Sequence, residues 1–312
     1  MQIATLTMNP TIDISTSTGQ LVAERKLRCE RPRYDPGGGG INVSRAIRKL
    51  DGESLAVFPA GGTTGQMLRE LLERQQLRHV AVPTSGRTRE NFTVYEESSG
   101  QQYRFVLPGP PLSEQEWRRC LYELSYLDPQ PEYLVASGSL PPGAPDDFYR
   151  LTVRLAKEHR IRIIVDSSGI ALRHAVEEGV FLVKPNLNEL RDLTGDELRD
   201  ESQQEEAAHD LVDSGKAEHV VVSLGAAGVL YVGRDQRRRI RAPTVRIQSK
   251  VGAGDSTVAG VVLALARGME MLEAVRFGVA AGSAAVMTAG TELCDKDDTE
   301  RLYRRIAEKD GA

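Results

Sequence analysis

The clearest place for chemistry in this chain is an aspartate within a run of small residues: Val251-Gly252-Ala253-Gly254-Asp255-Ser256, followed by the apolar segment TVAGVVLALARG. Gly252 and Gly254 permit unusual backbone angles and close approach of a ligand. The apolar segment predicts a helix ending near Gly268. The unpaired N–H groups at its start would face one way and, with the helix dipole, make an anion site. A carboxylate in that turn can accept the proton of an attacking hydroxyl in phosphoryl transfer. The amides beside it can hold the charge that grows on the transferred group. The plainer reading is a glycine turn with Asp255 as a helix cap.

Two further turns carry the same kind of signal. Gly37-Gly38-Gly39-Gly40 precedes Ile41-Asn42-Val43 and a helical pattern. Four glycines are entropically costly, so something must approach the backbone closely. A sugar ring or a phosphate fits, with Asn42 offering both a donor and an acceptor. A hinge or tight helix–sheet packing is the alternative. The third turn is Lys184-Pro185-Asn186-Leu187-Asn188-Glu189-Leu190, where a strand gives way to a helix. Asn186 and Glu189 share a face of the first turn. They would hold a magnesium-bound water near nucleotide phosphates, or simply form a capping pair. Neither glycine run follows the GxxxxGK[ST] pattern, and no GxGxxG follows the first strand, which weakens a nicotinamide-enzyme reading.

Weaker candidates surround these. Asp13, after the first strand, could bind sugar hydroxyls, and Arg89 could grip a phosphate bidentately. Lys26 and Arg28 add positive charge nearby. Ser137-Gly138-Ser139 follows a strand and could reach a ligand. Ser223-Leu224-Gly225-Ala226-Ala227-Gly228 turns between two strands, where an adenine or ribose could rest. Ala280-Ala281-Gly282-Ser283-Ala284-Ala285 reads as close helix packing or a nucleotide wall.

The elements that must position these residues alternate between strand and helix. SLAVFPA, YLVASGSL, RIIVDSS, VFLVKPN and HVVVSLG are apolar runs closed by polar or glycine-rich turns, with helical segments between them. That alternation predicts a parallel sheet covered on both faces, with ligands at the carboxyl ends of its strands. Residues 13 to 36 and 88 to 107 instead predict a small antiparallel sheet. The Arg237-Arg238-Arg239 run reads as a solvated turn.

The chain has 312 residues, 40% hydrophobic and 27% charged, with a formal net charge of -4. That length and composition fit a soluble globular fold of one or two domains. The charge gives no basic field for nucleic acid. No apolar run is long enough to span a membrane. Three separated cysteines and five scattered histidines give neither a disulfide framework nor metal-ligand spacing, which suits a cytoplasmic location. No signal peptide is expected.

Taken in order, TLTMNPTID, PGGGGINVSRAI, FPAGG, TREN, YRFVLPG, SGSLPPG, VDSSG, LVKPNLNEL, VVSLGAAG, VGAGDS and FGVAAGSAA are spread along nearly the whole chain. This pattern resembles the ribokinase-like carbohydrate kinases, in the phosphofructokinase B branch. The resemblance implies a single α/β kinase domain: a three-layer core (1–10, 37–87 and 110–312) with a β lid (about 11–36 and 88–109). It implies ATP as donor, Mg²⁺, and a homodimer in which two lids pair. Asp255 would be the base, and Gly252, Ala253 and Gly254 the anion hole. Asp13, Gly38, Gly39, Asn42, Arg89 and Ser139 would bind the sugar phosphate, with Lys26 and Arg28 adding charge. Lys184, Asn186, Ser223, Gly225, Gly228 and Ser283 would lie along the nucleotide, and Glu189 would organise magnesium. A monovalent cation, K⁺, would sit near Ser249, Val251, Ala285, Thr288, Gly290 and Glu292, largely on backbone oxygens. Relatives acting on tagatose 6-phosphate or fructose 1-phosphate often carry lysine at the third glycine. Gly39 therefore points to fructose 6-phosphate, phosphorylated at its 1-hydroxyl as in glycolysis. A non-catalytic sugar-phosphate sensor on the same fold is the rival from another class.

Overall fold

The structure, a computed structural model, describes residues 2–310. In chain order its first half runs β1 (Ile3–Leu6), β2 (Thr11–Thr18), β3 (Arg33–Gly37), α1 (Gly39–Lys49), β4 (Leu55–Ala60), α2 (Gly62–Arg74), β5 (Arg78–Pro83), β6 (Arg89–Glu96), β7 (Gln101–Phe105) and α3 (Glu114–Ser125). It continues with β8 (Tyr133–Ser137), α4 (Phe148–Glu158), β9 (Arg162–Asp166), α5 (Gly169–Glu178), β10 (Val180–Val183), α6 (Leu187–Thr194) and α7 (Glu201–Asp213). The last elements are β11 (Ala217–Ser223), β12 (Val229–Gly233), β13 (Gln236–Ile240), α8 (Ala253–Ala266), α9 (Met271–Ala285) and α10 (Lys296–Asp310).

The main sheet has nine strands in the order β13-β12-β11-β10-β9-β8-β1-β4-β5. From β11 through to β5 every neighbouring pair is parallel, and only β12 runs against its neighbours. The period-2 rule explains the layers. On β8, Leu134 and Ala136 point into a core shared with α3, α4, α5, α6 and α7. Tyr133 and Val135 point the other way, into a core shared with α1, α8, α9 and α10. The parallel strands therefore read as continuous apolar runs, as strands covered on both faces must. Their carboxyl ends line up Leu6, Ser137, Asp166 and Val183, and the turns after them build the site.

A second, four-stranded sheet has the order β3-β2-β6-β7. It corrects the antiparallel expectation: its outer pairs are antiparallel, but β2 and β6 at its centre are parallel. Ile12 and Ile14 of β2 anchor it by packing with Ile41, Phe58, Leu68 and Leu72. The run Arg237-Arg238-Arg239 is also corrected. It is no turn but part of the edge strand β13, with Arg239 ion-paired to Glu205 at 2.9 Å. Charged side chains on an edge strand discourage pairing with another chain.

Candidate active site

Helix α8 begins at the glycine turn. Gly252 caps it in the left-handed region, with φ 76°, and a β-carbon there would lie 2.3 Å from Leu293 Cδ2. Only glycine fits that turn without strain. The first intrahelical bond is Ser256 N–H to Gly252 O at 2.8 Å. The amides of Ala253, Gly254 and Asp255 thus precede the helical ladder, as the first N–H groups of any helix do. Val258, Val261, Val262 and Leu263 anchor the helix in the core; burying each contributes roughly 1.5–3 kcal/mol. Helix α9 crosses α8 at backbone contact: a β-carbon on Gly260 would meet Gly278 Cα at 2.8 Å, and one on Gly282 would meet Thr257 Oγ1 at 2.2 Å. The small-residue run at 280–285 is therefore close helix packing, and it fixes where the amides of the turn point.

Asp255 lies in this first turn, part-buried, and its Oδ2 accepts a hydrogen bond from Asn42 Nδ2 at 2.9 Å. Burial, with the nearby Asp166 carboxylate, pushes its pKa up to about 6 against the lowering effects of Asn42 and Lys184. At neutral pH it stays ionised yet is a better proton acceptor than a free aspartate. It opens into a cleft of about 220 Å³ lined by Gly39, Ser137, Gly138, Ser139, Asp166, Ser167, Ser168, Glu189 and Asp255.

Three of the four glycines serve different ends: packing, the cleft and the helix cap. Gly40 lets α1 lie on β1, since a β-carbon would meet Leu6 O at 2.6 Å. Gly39 lines the cleft, where a β-carbon would meet Ser137 Oγ at 2.3 Å and Gly138 N at 2.8 Å. Gly38 is the helix cap, and its carbonyl accepts from Asn42 N–H at 2.8 Å.

On the other wall, Lys184 is buried and paired with Asp166 at 3.0 Å. Burial pushes its ammonium down, but Asp166, with Asp255 and Glu189, outweighs that and holds its pKa above the ordinary value. Asn186 and Glu189 form a reciprocal cap. Asn186 Oδ1 accepts from the amides of Asn188 and Glu189, while Glu189 Oε2 accepts from Asn186 N–H at 2.7 Å. The capping alternative is thus realised, and Glu189 still faces the cleft with its pKa raised mainly by burial. Ser223 N–H and Oγ both bond Pro185 O, tying the turn after β10 to the one after β11. Gly225 opens the tight turn at Gly225–Ala227, and Gly228, at φ 100°, closes it. Ser283 is buried, with its hydroxyl on Val279 O.

At the second sheet, Asp13 accepts from Asn91 Nδ2 at 3.1 Å, and its pKa is raised by burial. Arg89 donates to Leu107 O and Asn9 O, while its buried Nε has no partner among the described residues. Ser139 Oγ accepts from Asn9 Nδ2 at 3.2 Å. Lys26 and Arg28 lie on the exposed stretch between β2 and β3, and the structure does not bring them to the cleft lining.

A family model for pfkB family carbohydrate kinases matches residues 6–298. The chain belongs to this family. It is 46% identical over 307 residues to the ATP-dependent 6-phosphofructokinase isozyme 2 of Mycobacterium tuberculosis, covering 98% of this chain and 90% of the relative. It is also 46% identical over 308 residues to the Escherichia coli enzyme of the same name, covering 98% and 99%. A crystal structure of Escherichia coli phosphofructokinase-2 with fructose-6-phosphate superposes with a TM-score of 0.93 at 45% identity, covering 98% and 99%. Other structures of that Escherichia coli protein describe a potassium complex and a tetrameric inhibited form. A tagatose-6-phosphate kinase of Staphylococcus epidermidis is 30% identical over 306 residues, covering 97% of this chain and 98% of that one.

Within this pfkB kinase the expected cation loop falls in two adjoining segments, joined by the amides of Gln248 and Ser249 on Val286 O. Val251 N–H is held by Ser249 Oγ at 3.2 Å. Two of the carbonyls already have donors: Thr288 Oγ1 bonds Ala285 O, and Lys49 Nζ bonds Glu292 O. Gly290 sits at φ 58°, close to Arg33, whose guanidinium pairs with Glu292.

Four residues in or behind this site carry little or no local signal in the sequence. Asp166 ends the strand RIIVD, and the rule that ligands bind at strand ends was enough to find it. Asn9 and Asn91 had no signal beyond being polar near turns. Arg45 had none at all.

Proposed function

We propose that this pfkB kinase transfers the γ-phosphoryl group of ATP to the 1-hydroxyl of fructose 6-phosphate. One observation carries the mechanism: the Asp255 carboxylate stands beside the helix-start amides of its own turn and lines the cleft. Asp255 takes the proton of the sugar hydroxyl, and the amides of Ala253, Gly254 and Asp255 hold the phosphoryl charge. Asn42, Asp13 and Ser139 orient the sugar. The unpartnered Arg89 Nε supports a role in gripping the sugar's existing phosphate. Lys184 and the turns at 186–189 and 223–228 lie along the nucleotide, with α9 as a wall.

Magnesium fits the cleft. Asp166 and Glu189 bring two carboxylates to it, and no three metal-ligating side chains converge among the described residues. That suits a cation that takes one or two carboxylates and completes its shell with water and phosphate. When bound, it would neutralise charge on the nucleotide phosphates. Backbone oxygens at Ser249, Val251, Thr288 and Gly290 remain the candidates for K⁺. The four-stranded sheet acts as a lid that excludes water and pairs with a second lid in a homodimer. A cytoplasmic location goes with this substrate pair and with the three free cysteines.

The substrate rests on the 46% relatives and on Gly39, which stands where kinases of tagatose 6-phosphate or fructose 1-phosphate often carry lysine. ADP release with a panel of sugar phosphates tests it. Fructose 6-phosphate is expected to give the highest kcat/KM, and a higher value for tagatose 6-phosphate or fructose 1-phosphate would overturn the assignment. Asp255→Asn is expected to lower kcat by roughly 10²–10⁴-fold with binding of both substrates kept. Near-normal turnover would remove Asp255 from the role of base.

A further inference from the structure

The amide that touches the base is itself held from behind. Asn42 and Arg45 are three residues apart on α1, hence on one face. Arg45 is 6% exposed, and its guanidinium bonds four groups. It donates to Pro36 O at 2.9 Å, Asn42 Oδ1 at 3.3 Å, Gln75 Oε1 at 3.0 Å and Asp35 Oδ1 at 3.3 Å. The other oxygen of Asp35 accepts from Arg33 Nε and from Thr291 Oγ1, each at 2.8 Å. One carboxylate thus joins the lid strand β3, helix α1 and the loop after α9.

A guanidinium has donors only, and an ionised carboxylate has acceptors only. Between Arg45 and Asp255 the Asn42 amide therefore has one sensible orientation: oxygen toward the arginine, NH₂ toward the base. The flipped amide would set its oxygen against the carboxylate and its NH₂ against the guanidinium, two repulsive contacts in place of two bonds.

We propose that Arg45 is a positioning residue for phosphoryl transfer, locking the Asn42 amide so that it donates to Asp255, with Asp35 holding Arg45 in place. The proposal rests on Asp255 being the base. A lysine at 45 keeps the charge but cannot make the planar fork that reaches Pro36, Asn42 and Asp35 together.

The test is a double-mutant cycle on kcat with Arg45→Lys, Asn42→Ala and the pair, alongside thermal melting and the KM for ATP. Loss of a preorganised contact behind the base is expected to lower kcat about 10–100-fold in Arg45→Lys, with KM for ATP within about twofold, since Arg45 touches nothing on the nucleotide side. In the Asn42→Ala background the same substitution should cost nothing further, because residues that act through one another are not additive. Independent, multiplicative losses would overturn the proposal, as would wild-type kcat in Arg45→Lys. Should that variant not fold, Asp35→Asn serves in its place, with a smaller loss that likewise vanishes without Asn42. Asp255→Asn is run in parallel. Normal turnover there sinks the base itself, whereas a dead Asp255→Asn beside a normal Arg45→Lys sinks only this proposal.

Discussion

Burial sets most of the acidity of Asp255, and charged neighbours adjust it. The charged groups that act on it come from other elements: Asp166 at the end of β9, Lys184 after β10, Asp13 on β2 and Arg45 on α1. Burial and the two carboxylates raise its pKa, and the cations with Asn42 lower it, leaving it near 6. A base must be deprotonated to act, so kcat/KM should be flat above that value and fall about tenfold per pH unit below it. Asp166→Asn removes a raising charge and frees Lys184 to pair with Asp255, and both changes act downward. The acid limb measured in that variant should therefore move to lower pH; a limb that stays put would mean that another group sets it. Asp255, Asn42 and Lys184 were legible because glycines and prolines mark their turns. Arg45 was not, since in NVSRAIRKL it reads as one more surface cation. Its burial comes from β3 and α2 folding over it, a long-range event that local spacing does not encode.

At the scale of elements, the start of α8 separates what the fold needs from what the chemistry needs. Gly252 is required by the backbone: its φ is positive and Leu293 fills the space of a β-carbon. Gly254 is different. Its φ is not in the left-handed region, and the nearest atom to a β-carbon there is Lys184 Nζ at 3.5 Å, an ordinary contact. Gly252→Ala should therefore lose both melting temperature and activity, at a strain of about 1–3 kcal/mol. Gly254→Ala should keep or gain stability, alanine favouring the helix by about 1 kcal/mol, while kcat falls at least tenfold because a methyl group would stand where the transferred phosphoryl group is proposed to lie. If Gly254→Ala turns over normally, the transferred group does not lie on these amides. The βα alternation of the core was readable because each parallel strand is a continuous apolar run. The pairing inside the lid was not. β2 and β6 lie parallel although far apart in sequence, and neither carries a hairpin turn that would fix its neighbour.

For the whole molecule, the lid raises the question of what covers its apolar side. Registers align Tyr34 with Ile14, Ile14 with Phe92, and Phe92 with Phe105, placing one residue from each strand in a row on the same face. Ile14 is buried, but Tyr34, Phe92 and Phe105 are 40%, 40% and 52% exposed. Tyr103, opposite Val94 in the next register, is exposed on that face too. A small sheet with such a stripe is stabilised by a cover, and a second lid offers a matching one through two-fold symmetry. Phe105→Glu adds a charge at an exposed position outside the core clusters, so it should leave the fold intact and shift the proposed homodimer to monomer in sedimentation equilibrium at micromolar concentration. Because the same strands carry Asp13 and Arg89, proposed above to bind the sugar phosphate, together with Asn91, which bonds Asp13, the monomer should also show a raised KM for the sugar phosphate while KM for ATP changes little. A Phe105→Glu chain that stays dimeric would move the interface elsewhere on the molecule. A dimer lost without any change in sugar KM would mean that each lid holds its shape alone.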